Sequence, residues 1–222
     1  MRHLSLDPRC ERCFMKPALC ICALLAPVST TTTVRVVVPK TELMKSTNSG
    51  RFIPLVIDKG ELVVYGADQP PLPDVIWPPS TTPVVLFPRE GAPLLCDVAA
   101  GANHPLCLIV LDGTWSSANR LRKRFASKNI PFARLPDDDR PSIYALRAGS
   151  FVGSLSTLEA TARALRSLEG ARGPAVEEAL LHPFRVMVSR TLWLRGDIDD
   201  DDVIGDLPPG VSRHDINGRW RR

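Results

Sequence analysis

Nowhere in its 222 residues does the sequence hold a run approaching the roughly 18 uncharged apolar residues that a membrane-spanning helix needs. Its first residues lack an apolar stretch ahead of a small-residue cleavage site, so no secretory leader is expected and the chain is read as cytoplasmic. Aromatic residues are scarce, at 6%. The four histidines (His3, His104, His182 and His214) sit in no nucleophile motif, which argues against a Ser/His/Asp hydrolase. Charge imbalance is small: a net +4 permits a nucleic-acid partner without requiring one. No internal repeat is visible. Proline, by contrast, is abundant, with 21 residues where a usual share of about 5% would give roughly half that. Stiff turns and short elements follow, rather than a bundle of long helices. The length suits one full domain with a small appendage.

Four of the six cysteines, Cys10, Cys13, Cys20 and Cys22, fall within thirteen residues as C-x2-C-x6-C-x-C. A reducing compartment gives no reliable disulfides. Two close thiol pairs across a short loop are instead what a tetrahedral metal site needs, and ligation then replaces the core that so short a segment lacks. Arg9, Arg12 and Lys16 partly balance a tetrathiolate's charge. The expectation is a structural zinc knuckle, closed to catalysis because four thiolates leave no open position. Reduced surface cysteines or a redox pair are the alternatives. Cys96 and Cys107 read as small buried hydrophobes.

After a linker over 23–32, the β-branched run 33–38 reads as a strand ending at Pro39. Residues 41–50 form a polar loop that opens a helix near Asn48, and short apolar runs at 53–57 and 62–65 flank a turn. Six prolines make 69–83 an irregular connection. Strands are expected at 84–87, 106–111 and 130–135, and helices at 116–126, 157–168 and 175–195, the last bent at Pro183. Ser156 or Thr157 caps the second of these, with Glu159 in its first turn. Alternating strands and helices indicate an α/β fold: a mostly parallel sheet with helices on both faces. Three units are expected: a knuckle segment over 1–32, a catalytic domain over 33–195, and a mobile tail over 196–222, acidic and then basic.

Ligands of open α/β sheets gather beyond the carboxyl ends of strands. Three segments lie there: Phe87-Pro88-Arg89-Glu90, Asp112-Gly113-Thr114-Trp115 and the loop 154–159. Asp112 follows a six-residue apolar strand and is held rigidly. Gly113 frees the backbone to turn, and Trp115 offers a large flat surface. Ser156 and Thr157 bring helix N-terminal N–H groups suited to a carboxylate. A plainer role for Asp112 and Thr114, capping the next helix, is equally open from the tetrapeptide alone.

The knuckle, then Lys45-x-Thr47-Asn48-x-Gly50-Arg51, then Leu111-Asp112-Gly113-Thr114-Trp115, then Leu155-Ser156-Thr157-Leu158-Glu159-Ala160, together resemble the DTW-domain family over roughly residues 10–195. The tail lies outside the resemblance. Members look like tRNA-uridine aminocarboxypropyltransferases related to SPOUT-type enzymes. The resemblance implies a SPOUT-like sheet whose C-terminal part forms a trefoil knot, an exception among folds. It also implies that S-adenosylmethionine gives its 3-amino-3-carboxypropyl arm to N3 of a tRNA uridine, with 5′-methylthioadenosine leaving.

On this chain the resemblance makes Asp112, Thr114 and Trp115 the catalytic set. Asp112 acts either as general base or as an electrostatic partner of the sulfonium or ammonium. Leu86, Phe87, Pro88, Leu111, Leu155, Ser156, Thr157 and Glu159 join Asp112 around S-adenosylmethionine, and Trp115 packs on adenine, on uracil or on the core. Lys45, Asn48 and Arg51 form one polar cluster for tRNA, and Arg120, Arg122, Lys123 and Arg124 a second, suited to phosphates. Arg147 serves the amino-acid carboxylate, a phosphate, or neither. Splayed-out uridines stack on aromatics, which suits Trp115 and Phe87. An RNA methyltransferase of the same fold and a non-catalytic zinc-stapled RNA-binding protein are the competing functions. Monomer and homodimer both stay open.

Overall fold

The computed structural model describes residues 8–146 and 154–213. Its centre is a sheet of five parallel strands: β1 (Thr33–Pro39), β2 (Gly60–Tyr65), β3 (Thr82–Leu86), β4 (Leu106–Leu111) and β5 (Phe132–Ala133), in the order β2-β1-β4-β3-β5. All six residues of β4 are buried. Both its faces meet protein, which is why its sequence is apolar without alternation. Val36 pairs with Leu62 on one side and Val110 on the other.

Among the described residues six helices surround the sheet: α1 (Lys40–Leu43), α2 (Ile53–Val56), α3 (Leu95–Ala100), α4 (Trp115–Ala126), α5 (Thr157–Leu168) and α6 (Gly173–Arg195). Residues from α2, α3, α5 and α6 join Val34, Val36, Val84, Leu108 and Val110 in one core. On the opposite face α4 lays Ala118, Leu121 and Phe125 against Val37, Val85, Ile109 and Leu111. Those three recur at i, i+3 and i+7, so the basic residues of α4 are left outside. Leu72, with Ile76 and Trp77 packed beside it, completes that face from the proline-rich connection. Helices on both faces of a parallel sheet thus match the expectation.

The chain leaves β1 over the first face toward β2, and leaves β4 over the second face toward β5. The two connections diverge, so a crevice opens beyond the carboxyl ends of β1 and β4. That is where sheets of this kind bind ligands.

Met15, Leu19, Ile21 and Leu25 of the cysteine-rich segment are buried in the first core together with Phe184 and Met187 of α6. The linker is also held: Val28 bridges to Ile57, and Glu169 accepts the N–H groups of Thr31 and Thr32 at 2.8 and 2.9 Å. The segment after α6, expected to be mobile, is packed in its described part. Gly196 takes a left-handed conformation (φ 85°) to end α6, Trp193 donates from Nε1 to Asp200 at 2.5 Å, and Val203 is buried. Apolar side chains at Ile198, Val203, Leu207 and Val211 explain why: the acidic run is interleaved with residues that seek the core. Cys107 is buried as expected, whereas Cys96 is exposed, because its neighbour Leu95 takes the inward position of α3. No helix among the described residues is long and apolar enough to cross a membrane.

Candidate functional site

The four knuckle sulfurs lie within 4.8 Å of one another. Cys10–Cys22, Cys13–Cys20 and Cys10–Cys20 are each separated by 3.6 Å. Disulfide sulfurs would sit about 2.0 Å apart, and a tetrahedron with metal–sulfur bonds of about 2.3 Å has edges near 3.8 Å. The set therefore has the dimensions of a tetrathiolate metal site. Burial pushes the Cys13 and Cys22 thiols up, while the backbone N–H of Cys13 brings Cys10 down to about 6. A cation at the centre would offset the cost of ionising all four.

Asp112 stands at the crevice, 1% exposed. Its Oδ1 accepts from Thr157 Oγ1 at 2.5 Å and its Oδ2 from Asn48 Nδ2 at 2.6 Å. A Cβ on Gly50 would come within 2.7 Å of Oδ2, so only glycine fits beneath the carboxylate. Three segments far apart in sequence thus meet on one side chain. Gly113 follows with φ 138°, a conformation that favours glycine. Thr114 then caps α4, its Oγ1 accepting from the Ser117 N–H at 3.2 Å. The capping role and the site role therefore coexist. Trp115, 51% exposed, stands edge-on to Phe87 with ring centroids 6.1 Å apart. Arg122 lies over the same Phe87 ring at 5.5 Å.

Ser156 caps α5 and Glu159 closes a capping box with it. Glu159 accepts from the N–H groups of Ser156 (2.8 Å) and Ile143 (2.7 Å) and from Ser142 Oγ (2.9 Å). The hydrogen bonds of this carboxylate all hold protein, so Glu159 shapes the wall instead of facing a ligand. Of the segment 154–159, Thr157 alone reaches Asp112.

The residues expected to contact tRNA divide. Asn48 and Arg51 are buried, at 2% and 8% exposed, and belong to the interior. Arg51 donates to the carbonyls of Leu43 and Lys45, lies over the Phe14 ring at 4.1 Å, and takes Asn48 Oδ1 on its backbone N–H at 3.0 Å. Burial pulls its guanidinium down to about 10, against the opposing effect of Asp112. The reason for the departure is spacing: the 3-10 turn Gly50–Phe52 directs Arg51 inward, beneath the loop. Arg124 bonds the Leu72 carbonyl and pairs with Asp74 at 3.5 Å, so it pins the proline-rich connection, as Lys128 does. Arg120 and Lys123 are exposed, and Lys45 is half-exposed. Arg147 lies outside the described residues.

Glu42, Tyr65 and Tyr144 escaped the sequence reading. Glu42 is buried at 8%, on the turn that follows β1. Tyr144 donates to the Thr47 carbonyl and stacks on Phe184 at 5.5 Å, holding the Asn48 loop from behind. Tyr65 ends β2 in the field of Arg120, Asp112 and Glu42. For Glu42 a signal existed: an acid shortly after a buried strand, the same sign that singles out Asp112.

A second cleft, of about 470 Å³, lies at the amino ends of the strands among Thr33, Arg35, Lys59, Glu61 and Pro105. Arg35 there is engaged by Glu61 and the Ile76 carbonyl. At the carboxyl-end crevice, by contrast, donors from two distant segments converge on Asp112.

The tRNA-uridine aminocarboxypropyltransferase 2 of Drosophila melanogaster is 26% identical over 204 residues, which cover 83% of this chain and 77% of that protein. The Macaca fascicularis protein of the same name is 26% identical over 193 residues, covering 82% of this chain and 63% of its own length. No solved structure matches. The DTW-domain family model matches residues 7–192, so it takes in the knuckle, the Asp112 crevice and α6 together. The chain belongs to the DTW-domain family.

Proposed function

We propose that this chain modifies tRNA by moving the 3-amino-3-carboxypropyl group of S-adenosylmethionine to N3 of a uridine, releasing 5′-methylthioadenosine. The observation that carries the reading is Asp112, fixed by Asn48 and Thr157 at the crevice of a chain whose family match spans nearly the whole catalytic region. The names of its fly and macaque relatives point the same way. The donor set fits the donor molecule's chemistry: a carboxylate for its positive charge, and an aromatic ledge of Phe87 and Trp115 for its adenine or for the uracil.

S-adenosylmethionine supplies a carbon activated by positive sulfur, and the protein's part is chiefly positioning. Leu86, Phe87, Pro88 and Leu111 on the sheet side, with Leu155, Ser156 and Thr157 opposite, would enclose it. Exposed Arg120 and Lys123, with Arg122 on the Phe87 side, would meet tRNA phosphates. The same reading takes the C-terminal part as the SPOUT-like knotted region, and zinc as the occupant of the knuckle.

Unmodified tRNA incubated with S-adenosylmethionine labelled in the carboxyl or the methyl position tests the proposal. Carboxyl label entering tRNA, with 5′-methylthioadenosine released, is expected. Methyl label entering instead would make the chain a methyltransferase. Binding of tRNA with neither transfer would leave the non-catalytic reading.

A further inference from the structure

Two carboxylates converge on the crevice and are employed differently. Both oxygens of Asp112 are occupied, by Thr157 and Asn48, and Gly50 backs directly onto Oδ2. Glu42 arrives from the other side of the topological divide, three residues past the end of β1. Its γ carbon lies 3.7 Å from the point where a side chain on Gly113 would begin, which places it against the Asp112–Trp115 turn. Oε1 takes Lys45 Nζ at 2.5 Å. Among the described residues Oε2 has no hydrogen-bond partner, and it is not among the sealed, unsatisfied atoms. A carboxylate that is 8% exposed, held by one cation and open at one oxygen, is placed to accept a proton.

From this arrangement we infer that Glu42 is the general base of the transfer and Asp112 a positioning residue; the inference rests on the reaction proposed above. As N3 bonds to the terminal methylene of the aminocarboxypropyl arm, the bond from that carbon to sulfur breaks. Its electron pair stays on sulfur, which leaves as the neutral thioether. The N3 proton passes to Glu42 Oε2 and then to water, so the lost sulfonium charge is matched by the released proton. Lys45 keeps the carboxylate in place and balances its charge. Glu42 is paired with Lys45 and lies against Gly113 after β4, and Tyr65 at the end of β2 feels the charges of Glu42, Asp112 and Arg120; Arg51 grips the carbonyls on either side of Met44.

Glu42→Gln tests the assignment in the full chain, with kcat and KM measured from pH 6 to about 10 and S-adenosylmethionine affinity measured by calorimetry. Loss of a general base costs on the order of 10²–10⁴-fold in rate. The expected result is a fall of that size in kcat near pH 7, with affinity for S-adenosylmethionine kept. The deficit should shrink as rising pH ionises N3 without help, a recovery that a structural role would not show. An unchanged kcat, or a loss that parallels lost affinity and ignores pH, overturns the inference. Glu42→Asp keeps the charge and withdraws the oxygens by one methylene. It should lower kcat at constant affinity, and an unchanged kcat again overturns the assignment. If the wild-type protein transfers no aminocarboxypropyl group to tRNA, it is the underlying reaction that fails.

Discussion

A buried carboxylate that accepts two short hydrogen bonds has little freedom left, and that restriction is what the crevice uses. At Asp112 the donors are an amide and a hydroxyl, from the Asn48 loop and from the first turn of α5. Asp112→Asn replaces one acceptor oxygen with an NH2 group, which either meets the Asn48 amide donor head-on or turns the Thr157 hydroxyl into an acceptor and strips its hydrogen of the carboxylate. An unsatisfied buried polar group costs about 1–3 kcal/mol, so we expect a lower melting temperature together with loss of transfer activity. tRNA binding, which we propose draws on surface cations, should be retained in a filter-binding assay. Gly50→Ala reaches the same carboxylate from behind, since its Cβ would meet Oδ2 at 2.7 Å. Overpacking of this kind costs about 1–3 kcal/mol. We expect the alanine variant to fold and to lose most of its activity; wild-type turnover in that variant would show that Asp112 tolerates displacement.

Helix α5 shows how an element carries the site. Its N-terminus holds Thr157 toward Asp112 only because Ser156 and Glu159 lock the preceding turn. Ser156→Ala removes one cap bond and should cost about 1 kcal/mol. Glu159→Ala frees the Ser156 and Ile143 N–H groups and the Ser142 hydroxyl at once, so thermal melts should show the larger loss there. Equal melting temperatures for the two variants would contradict this. The boundaries of α5 and β4 were legible because each has a strong local signature: a capping box, and an unbroken apolar run ending in Asp-Gly. α1 and α2 were not, because four-residue helices have no period to read; their turns are set by packing on the sheet. The inward course of Asn48 and Arg51 was hidden for a related reason. Polar residues in a loop look solvated until the distant groups that satisfy them, Asp112 and the Leu43 carbonyl, are in place. Glu42 did carry a mark, an acid just past a buried strand, but its burial depends on the turn after β4 lying beside it.

Across the whole molecule, two buried arginines hold the knuckle, one to α6 and the tail and one to the crevice. Arg190 on α6 donates to the carbonyls of Leu19 and Cys20 on one side and of Gly205 and Asp206 on the other, tying knuckle and tail to one helix. Arg51 lies over Phe14, next to Cys13, while its backbone is held by the same Asn48 that reaches Asp112. With Met15, Leu19 and Ile21 in the main core, a metal bound in the knuckle would stabilise the whole fold. Binding to the folded state alone contributes about 4 kcal/mol at free metal a thousandfold above Kd. Each kcal/mol shifts Tm by about 2–4 °C for a domain of this size. Stripping zinc with a chelator should therefore lower Tm by ~8–16 °C in calorimetry, in one transition rather than two. A separate low-temperature transition with the main one unmoved would mean that the knuckle unfolds alone. Arg51→Met distinguishes metal loss from broken coupling: it leaves the four thiols in place, so zinc content by elemental analysis should stay near one per chain. Affinity for S-adenosylmethionine should fall because the loop that carries Asn48 loses the guanidinium's hold on the Leu43 and Lys45 carbonyls, and a variant with full zinc and full affinity would show that the knuckle and the crevice are independent.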